Sequence, residues 1–373
     1  MTIKSLSSFL KDKFPGHRRR VPAEFFARRR IAIDGHLLSY AYMSTAIAAE
    51  AKKLLHSQSK VIDQKSLMER WLGRWLAQIT ILKEARWIPI VVLDGGEVPV
   101  EKTATRAKRN EGKLNVREEL KGLEVEIAQE DLSMNMSARE RRVKLMARDV
   151  HVTEQHFSRL RKLLETAGVS MIQARGEGEA LCASLVKEGK CYAVLTQDSD
   201  CGTYLAPVVI ISIENPTYDP SGRRYQYCEV IYYRQVMSKL GLTPEQYIDF
   251  CIMCGTDYND NVPNWGPAKC YKLIQEYGSL EKIPVAKYDT GPLNYQRVRE
   301  IFAGKYEMAS GDLHPPLVDI GELTRVLAGY GLLRNANRLL SILRGSDAAQ
   351  INQALAVAGE ELEPVEMDPG ELL

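Results

Sequence analysis

Three short apolar runs in this chain each lead to an aspartate. Ile31-Ala32-Ile33 is followed by Asp34, and Ile88-Pro89-Ile90-Val91-Val92-Leu93 by Asp94. Tyr192-Ala193-Val194-Leu195 is followed, after Thr196 and Gln197, by Asp198 and then Asp200. Glu177 and Glu179, in Gly176-Glu177-Gly178-Glu179-Ala180, open a helix-forming stretch, and Asp257 makes a seventh carboxylate. One strand-end aspartate is most often a helix cap, and glutamates in a first turn favour the helix dipole. Three strands of one sheet ending alike ask for more, because ligands of open α/β sheets bind beyond the carboxyl ends of the strands. Seven carboxylates cannot all stay ionised at one dry site. Divalent cations resolve that conflict, and oxygen ligands without His or Cys suit magnesium or manganese better than zinc. Two ions about 3.5–4 Å apart would clamp the attacking and leaving oxygens of a phosphodiester, which is metal-assisted hydrolysis. Alone, the Asp198-Ser199-Asp200 spacing also fits a nucleotide-sugar transferase.

The elements that must position these acids follow from the pattern around them. Continuous apolar runs are strands buried on both faces, and Val208–Ile213 adds another. Helical periodicity covers 37–55 and 66–86 before the second run, then 153–167 and 179–188 before the third. The alternation predicts an α/β fold with a mostly parallel central sheet flanked by helices. Residues 99–150 are too long for an ordinary connection and hold helix formers throughout. They read as two charged helices projecting from the sheet, joined at Gly122 or in Ser133–Ser137, or else as a solvated insertion. Past residue 230 the chain reads as mostly helical.

Composition sets the outer bounds. With 373 residues, 45% hydrophobic and 26% charged, the chain is ordinary globular material. No run approaches the ~18 apolar residues of a membrane span, and the start lacks a signal-peptide core. Seven scattered cysteines indicate free thiols in a reducing, intracellular compartment. Cys251 and Cys254 have a zinc-like spacing but no matching second pair, so they read as core thiols. Net charge is only +2, yet residues 359–373 hold six acids and no base, which leaves the remainder at +8. Arg18–Arg20, Arg28–Arg30 and the twelve Lys/Arg of residues 102–148 suit an anionic partner such as nucleic acid, or simply a solvated face. Residues 346–373 read as a disordered acidic tail.

Over residues 1–345 the chain resembles the flap endonuclease/XPG-type 5′-nucleases. The matching blocks are Ile31–Asp34, Val92–Gly95, Gly176–Ala180, Thr196–Asp200 and Cys254–Tyr258, in the family's order. The resemblance implies a PIN-like nuclease core with a helical arch insertion and a helix–hairpin–helix DNA-binding element. It implies that Asp34, Asp94, Glu177, Glu179, Asp198, Asp200 and Asp257 hold two Mg2+ ions, which Mn2+ can replace. Lys102 and Arg109, seven residues apart, match the catalytic pair that steers the scissile phosphate from the arch, and Arg141, Arg142, Lys144 and Arg148 would line the arch further along. Tyr40 matches a tyrosine that stacks on a base near the cut, unless it is a core tyrosine of its helix. Asn261–Lys269 resembles the family's hairpin, with Gly266 kept and Asn264 in place of its first glycine. There K+ and backbone amides would grip duplex phosphates, helped by Lys269 and Lys272.

Two further departures accompany the match. Met1-Thr2-Ile3-Lys4-Ser5-Leu6 replaces both glycines of the family's usual start, and no sliding-clamp motif is recognisable. The resulting expectation is one nuclease domain over 1–345 and a tail over 346–373. Within it lie a nuclease part at 1–98, the arch at 99–150, a second nuclease part at 151–257, and the helix–hairpin–helix with C-terminal helices at 258–345. The implied protein is a monomer, free of membranes and nuclear by resemblance, that cuts branched DNA such as a 5′ flap near its single-strand/duplex junction. The alternatives are a 5′ exonuclease or a bubble or four-way-junction nuclease of the same family, and, in another class, a non-catalytic junction-binding scaffold.

Overall fold

Strands form in the computed structural model where β-branched and apolar residues run together; the structure describes residues 3, 5–56, 61–129 and 136–345. The strands are β1 (Arg18–Pro22), β2 (Arg30–Asp34), β3 (Ile88–Leu93), β4 (Ser170–Ala174), β5 (Ala193–Leu195), β6 (Val208–Ile213), β7 (Thr217–Tyr218), β8 (Arg224–Tyr225), β9 (Tyr227–Tyr232) and β10 (Met308–Ser310). Eight of them make one sheet in the order β1-β9-β6-β5-β2-β3-β4-β10, and β7 and β8 form a separate ribbon. The five central strands, β6-β5-β2-β3-β4, are parallel. β9 runs antiparallel to β6 and β1, and β10 runs antiparallel to β4.

Alternate residues of the central strands feed two hydrophobic cores, one on each face. Ala32, Ile90 and Val92 pack on one side with the helices Gly178–Lys187 and Pro244–Cys254. Ile31, Ile33, Val91 and Leu93 pack on the other with the helices Gly35–Lys53, Gln64–Glu84 and Glu154–Thr166. This covering explains why the central strands lack an apolar/polar alternation.

The long polar insertion is two helices, Thr103–Gln129 and Met136–Met146. Gly122 does not separate them: the first helix passes through it, and a side chain there would meet nothing within 4 Å. Most of the alternative joint lies at 130–135, outside the described residues. Val116, Leu123, Ala138 and Leu145 make a small core between the two helices. The second helix rests on Gly35–Lys53 and its extension: Ser44 Oγ donates to the Ala147 carbonyl at 3.1 Å, and Arg139 to that of Leu55 at 3.0 Å.

The strands the sequence pattern hides are the less uniform ones. β4 alternates buried and half-buried residues, β1 is an arginine-rich edge, and β9 and β10 interrupt a largely helical C-terminal part. The acidic tail, 346–373, lies outside the described residues.

Candidate metal centre and nucleic-acid surface

Asp34 ends β2 and also caps the helix Gly35–Lys53, its Oδ1 accepting from the Leu37 N–H at 2.9 Å. The register of β2 with β3 and β5 brings the carboxyl ends of all three strands together, and with them Asp34, Asp94, Asp198 and Asp200. Thr196, to which the sequence assigned no role, ties two of them: its hydroxyl donates to Asp34 Oδ2 at 3.3 Å and accepts from the Asp198 N–H at 3.1 Å. The Asp200 N–H donates to Asp198 Oδ1 at 3.2 Å. Glu177 is the N-cap residue of the helix Gly178–Lys187, and Glu179 lies in its first turn.

Gly178 lets this helix approach β3. Its N–H donates to Asp94 Oδ1 at 2.9 Å, and a Cβ would sit 2.8 Å from that same oxygen. At Gly95 a Cβ would be 2.0 Å from the Arg175 carbonyl, so the loop after Asp94 admits only glycine. His36 Nδ1 accepts from the Asp94 N–H at 3.1 Å while its ring stacks on Phe157. Both glycines lie within the matching blocks Val92–Gly95 and Gly176–Ala180, and Thr196 within Thr196–Asp200, whereas His36 lies in none.

The acids are crowded and dry. Asp34, Glu177, Glu179, Asp198, Asp200 and Asp257 are all buried, while the Asp94 side chain is partly exposed. One oxygen from each of Glu179, Asp198 and Asp200 falls within 4.8 Å of the others. Burial, then the Asp94 charge, lifts the Asp34 carboxyl to about 7. Burial, then neighbouring carboxylates, pushes Glu179 and Asp200 well above their ordinary values. Asp200 Oδ1 is buried without a hydrogen-bond partner. An all-oxygen cluster, starved of positive charge and holding an orphaned acceptor, fits hard divalent cations. Cys251 and Cys254 are buried free thiols within the core.

The insertion supplies the nearest fixed cations. Lys102, in the turn before the first long helix, donates to Glu177 Oε2 at 2.5 Å and lies 3.8 Å from Asp257 Oδ2. Arg109, two turns on, reaches the same Asp257 oxygen at 2.6 Å, so both point to one side. Burial opposes the Lys102 charge, but Glu179, Glu177 and Asp257 outweigh it and hold its pKa above the usual lysine value. Thr105 Oγ1 donates to the Asp257 carbonyl at 3.0 Å, fastening the helix base to the Cys254–Tyr258 turn.

Further out the expected residues divide. Tyr40 is exposed rather than a core tyrosine, with Lys113 Nζ 5.8 Å from its ring centre. Arg141, Lys144 and Arg148 are exposed, Arg141 pairing with Glu119. Arg142 is buried, against the expectation that it lines an open surface, because it shares a helical face with Ala138 and Leu145, which pack against the first helix of the insertion. The helices Pro244–Cys254 and Pro267–Tyr277 pack together, joined by a turn through Asn261–Gly266. Asn264 takes φ 64°, the left-handed conformation that the missing glycine would have filled. Gly266 is the N-cap of the following helix; Lys269 and Lys272 are exposed on that helix, with Lys269 Nζ 5.7 Å from the Trp265 ring centre.

Comparison with known proteins agrees with this geometry. Residues 1–115 match the XPG N-terminal domain and residues 168–257 the XPG I-region, so most of the two-helix insertion falls between them. Flap endonuclease 1 of Ostreococcus lucimarinus is 34% identical over 76% of this chain and 67% of its own length. That of Naegleria gruberi is 30% identical over 84% and 76%. Among solved structures, the flap endonuclease-1 of Methanococcus jannaschii superposes with TM-score 0.58 at 21% identity, covering 88% of this chain and 97% of its own. The catalytic core of Rad2 with DNA substrate gives 0.60 at 18%, covering 91% and 99%.

Proposed function

The chain belongs to the XPG family of structure-specific 5′-nucleases, and from that premise we propose that it hydrolyses branched DNA at the seven-carboxylate cluster. The observation that carries this reading is the buried, charge-unbalanced acidic cluster, with the orphaned Asp200 Oδ1, at the carboxyl ends of the parallel strands. Asp34, Asp94, Glu177, Glu179, Asp198, Asp200 and Asp257 would hold two Mg2+ ions, with Mn2+ as a substitute. Bound there, the ions supply Lewis acidity and a water of lowered pKa. Lys102 and Arg109 are held at the rim by Glu177 and Asp257, within reach of a phosphate entering the cluster. Their positive charge is pre-oriented for the charge that develops on the phosphodiester oxygens. The exposed Tyr40 face offers a sequence-blind stacking platform beside the site.

Residues 258–345, with the Asn264 turn, Gly266, Lys269 and Lys272, would grip duplex phosphates as a helix–hairpin–helix with K+; Arg141, Lys144 and Arg148 would attract the single strand at the arch of 99–150. The nuclease body is 1–345, its two core parts 1–98 and 151–257. A 5′ flap is favoured over a bubble or four-way junction because the curated relatives at 30–34% identity are flap endonucleases. A monomer acting in the nucleus completes the reading; no described helix is long and apolar enough to cross a membrane.

Labelled flap, nicked and four-way substrates, incubated with magnesium and with chelator, test it. Magnesium-dependent incision of the flap near its junction is the expected result. Tight junction binding without incision in any divalent metal would favour the scaffold alternative.

A further inference from the structure

The opposite edge of the sheet, where the parallel strands begin, carries a basic surface that the nuclease reading does not use. Arg28 and Arg29 precede β2, and Arg86 precedes β3. The Arg28 N–H donates to the Arg86 carbonyl at 2.7 Å, which sets these two residues side by side. Arg19 lies in β1, beside β9, whose last residue Tyr232 pairs with the first residue of β6. Tyr192 enters β5 at the same edge, its N–H donating to the Arg30 carbonyl at 2.8 Å. The Arg29 guanidinium lies 3.8 Å from the Tyr192 ring centre and that of Arg19 6.0 Å from the Tyr232 ring centre. Stacked guanidiniums are partly ordered before any anion arrives. Among the described residues none of Arg19, Arg28, Arg29 and Arg86 has a carboxylate within 4.0 Å. The nearby acids are taken: Glu24 by Arg224, Glu188 by Lys190, and Glu84 by Arg338 and Arg224. The Tyr232 hydroxyl, on a residue only 5% exposed, has no hydrogen-bond partner.

We propose that this arginine edge is the docking surface for the chain's own acidic segment, Glu360–Glu371. Charge is the first argument: six acids and no base in residues 359–373 face four arginines without a described carboxylate. Reach is the second. The last described helix, Asn337–Gly345, is fixed near this edge, because Arg338 holds Glu84, two residues before Arg86. The fourteen residues between Gly345 and Glu360 can span at most about 45 Å, and intramolecular attachment over that reach gives an effective concentration on the order of millimolar. Single exposed ion pairs contribute little, so binding depends on several arginines acting together.

The test uses full-length chains and a fluorescent peptide of residues 359–373. In one chain Glu360, Glu361, Glu363, Glu366 and Glu371 are changed to Gln and Asp368 to Asn. The peptide should bind this neutralised chain in a salt-sensitive manner, and bind the native chain at least tenfold more weakly because its own tail is in place. Adding Arg19→Gln and Arg29→Gln to the neutralised chain should weaken the peptide at least tenfold. Arg28→Gln with Arg86→Gln, which removes no aromatic stacking, should weaken it to a similar degree and serves if the first pair disturbs folding. Equal binding to native and neutralised chains, or no binding to either, overturns the proposal. So does loss of binding through Lys269→Gln and Lys272→Gln instead, which would place the tail in the DNA groove. An equal loss of duplex binding from the arginine changes would assign the edge to nucleic acid and overturn it too.

Discussion

The two ends of the parallel strands solve opposite electrostatic problems. At the carboxyl end, six of seven acids are buried, and the nearest fixed cations, Lys102 and Arg109, reach in from the insertion. At the amino end, arginines stand on the protein surface and stack on tyrosines instead of pairing with carboxylates. Buried charge without balance is costly and survives only where a ligand or function repays it, whereas exposed charge costs little. The difference therefore separates a buried acidic cluster, where cations are proposed to bind, from a surface that is stable as it is. Charge sign alone does not distinguish them; burial does.

The hardest blow to the carboxylate end is Asp200→Ala. It deletes the acid with the orphaned oxygen and should cut magnesium-dependent cleavage by about 10³-fold or more, ~4 kcal/mol in the barrier, while junction binding persists. Wild-type-like turnover in single-turnover assays would erase the contrast between the edges.

Next is the cost of the acids themselves. Asp34, lifted to about 7, is penalised when ionised in the metal-free chain. A carboxyl whose folded pKa is raised favours folding at low pH and loses that contribution as pH climbs from about 4 through about 7. Asp34→Asn should therefore stabilise the metal-free protein by about 2–4 kcal/mol at pH 7.5 and hardly at all at pH 4. Urea unfolding at the two pH values measures this, and magnesium should shrink the pH 7.5 difference.

A matched pair of charge deletions sharpens the comparison. Lys102→Ala or Arg109→Ala should slow single-turnover cleavage by roughly 10- to 100-fold with little change in Kd. Arg29→Ala, at the opposite edge, should leave the rate within about twofold. Similar losses at both edges would mean that plain phosphate attraction accounts for all three.

The smallest effect concerns the N-terminal segment, which reaches the acids through the Ile3 N–H donating to Ser199 Oγ at 3.0 Å. Ser5 adopts φ 59°, a conformation suited to the glycine that the resembling family carries there. Ser5→Gly should add about 1 kcal/mol of stability, read as a rise in the urea midpoint, without altering cleavage.

How much of this was legible depended on how uniform each signal was. β2, β3 and β5 announced themselves because strands buried on both faces are continuously apolar, and the acids at their ends gave the site away. β4 was missed because Ser170–Ala174 mixes polar and apolar residues, and β1 because three consecutive arginines read as a charge cluster rather than a strand. Gly122 looked like a joint, but an exposed glycine costs a helix only about 1 kcal/mol, too little to break one of 27 residues with its own small core. Arg142 shows the limit of reading charge runs: within one run, helical geometry buries one arginine and exposes its neighbour Arg141. His36 reaches Asp94, and Thr196 reaches Asp34, through tertiary contacts that no local pattern records.

The strand order also governs when the site can exist. β2 sits between β3, over fifty residues downstream, and β5, about 160 residues downstream, while the seventh acid, Asp257, comes later still. Such long-range pairing makes folding slow relative to helical proteins of similar size, because loop closure precedes the contacts that reward it. A nascent chain that has emerged only through β3 presents Asp34 and Asp94 without Glu177, Glu179, Asp198 or Asp200. The full set of acids therefore exists only once synthesis has passed Asp257, and no N-terminal fragment ending before that residue would carry it.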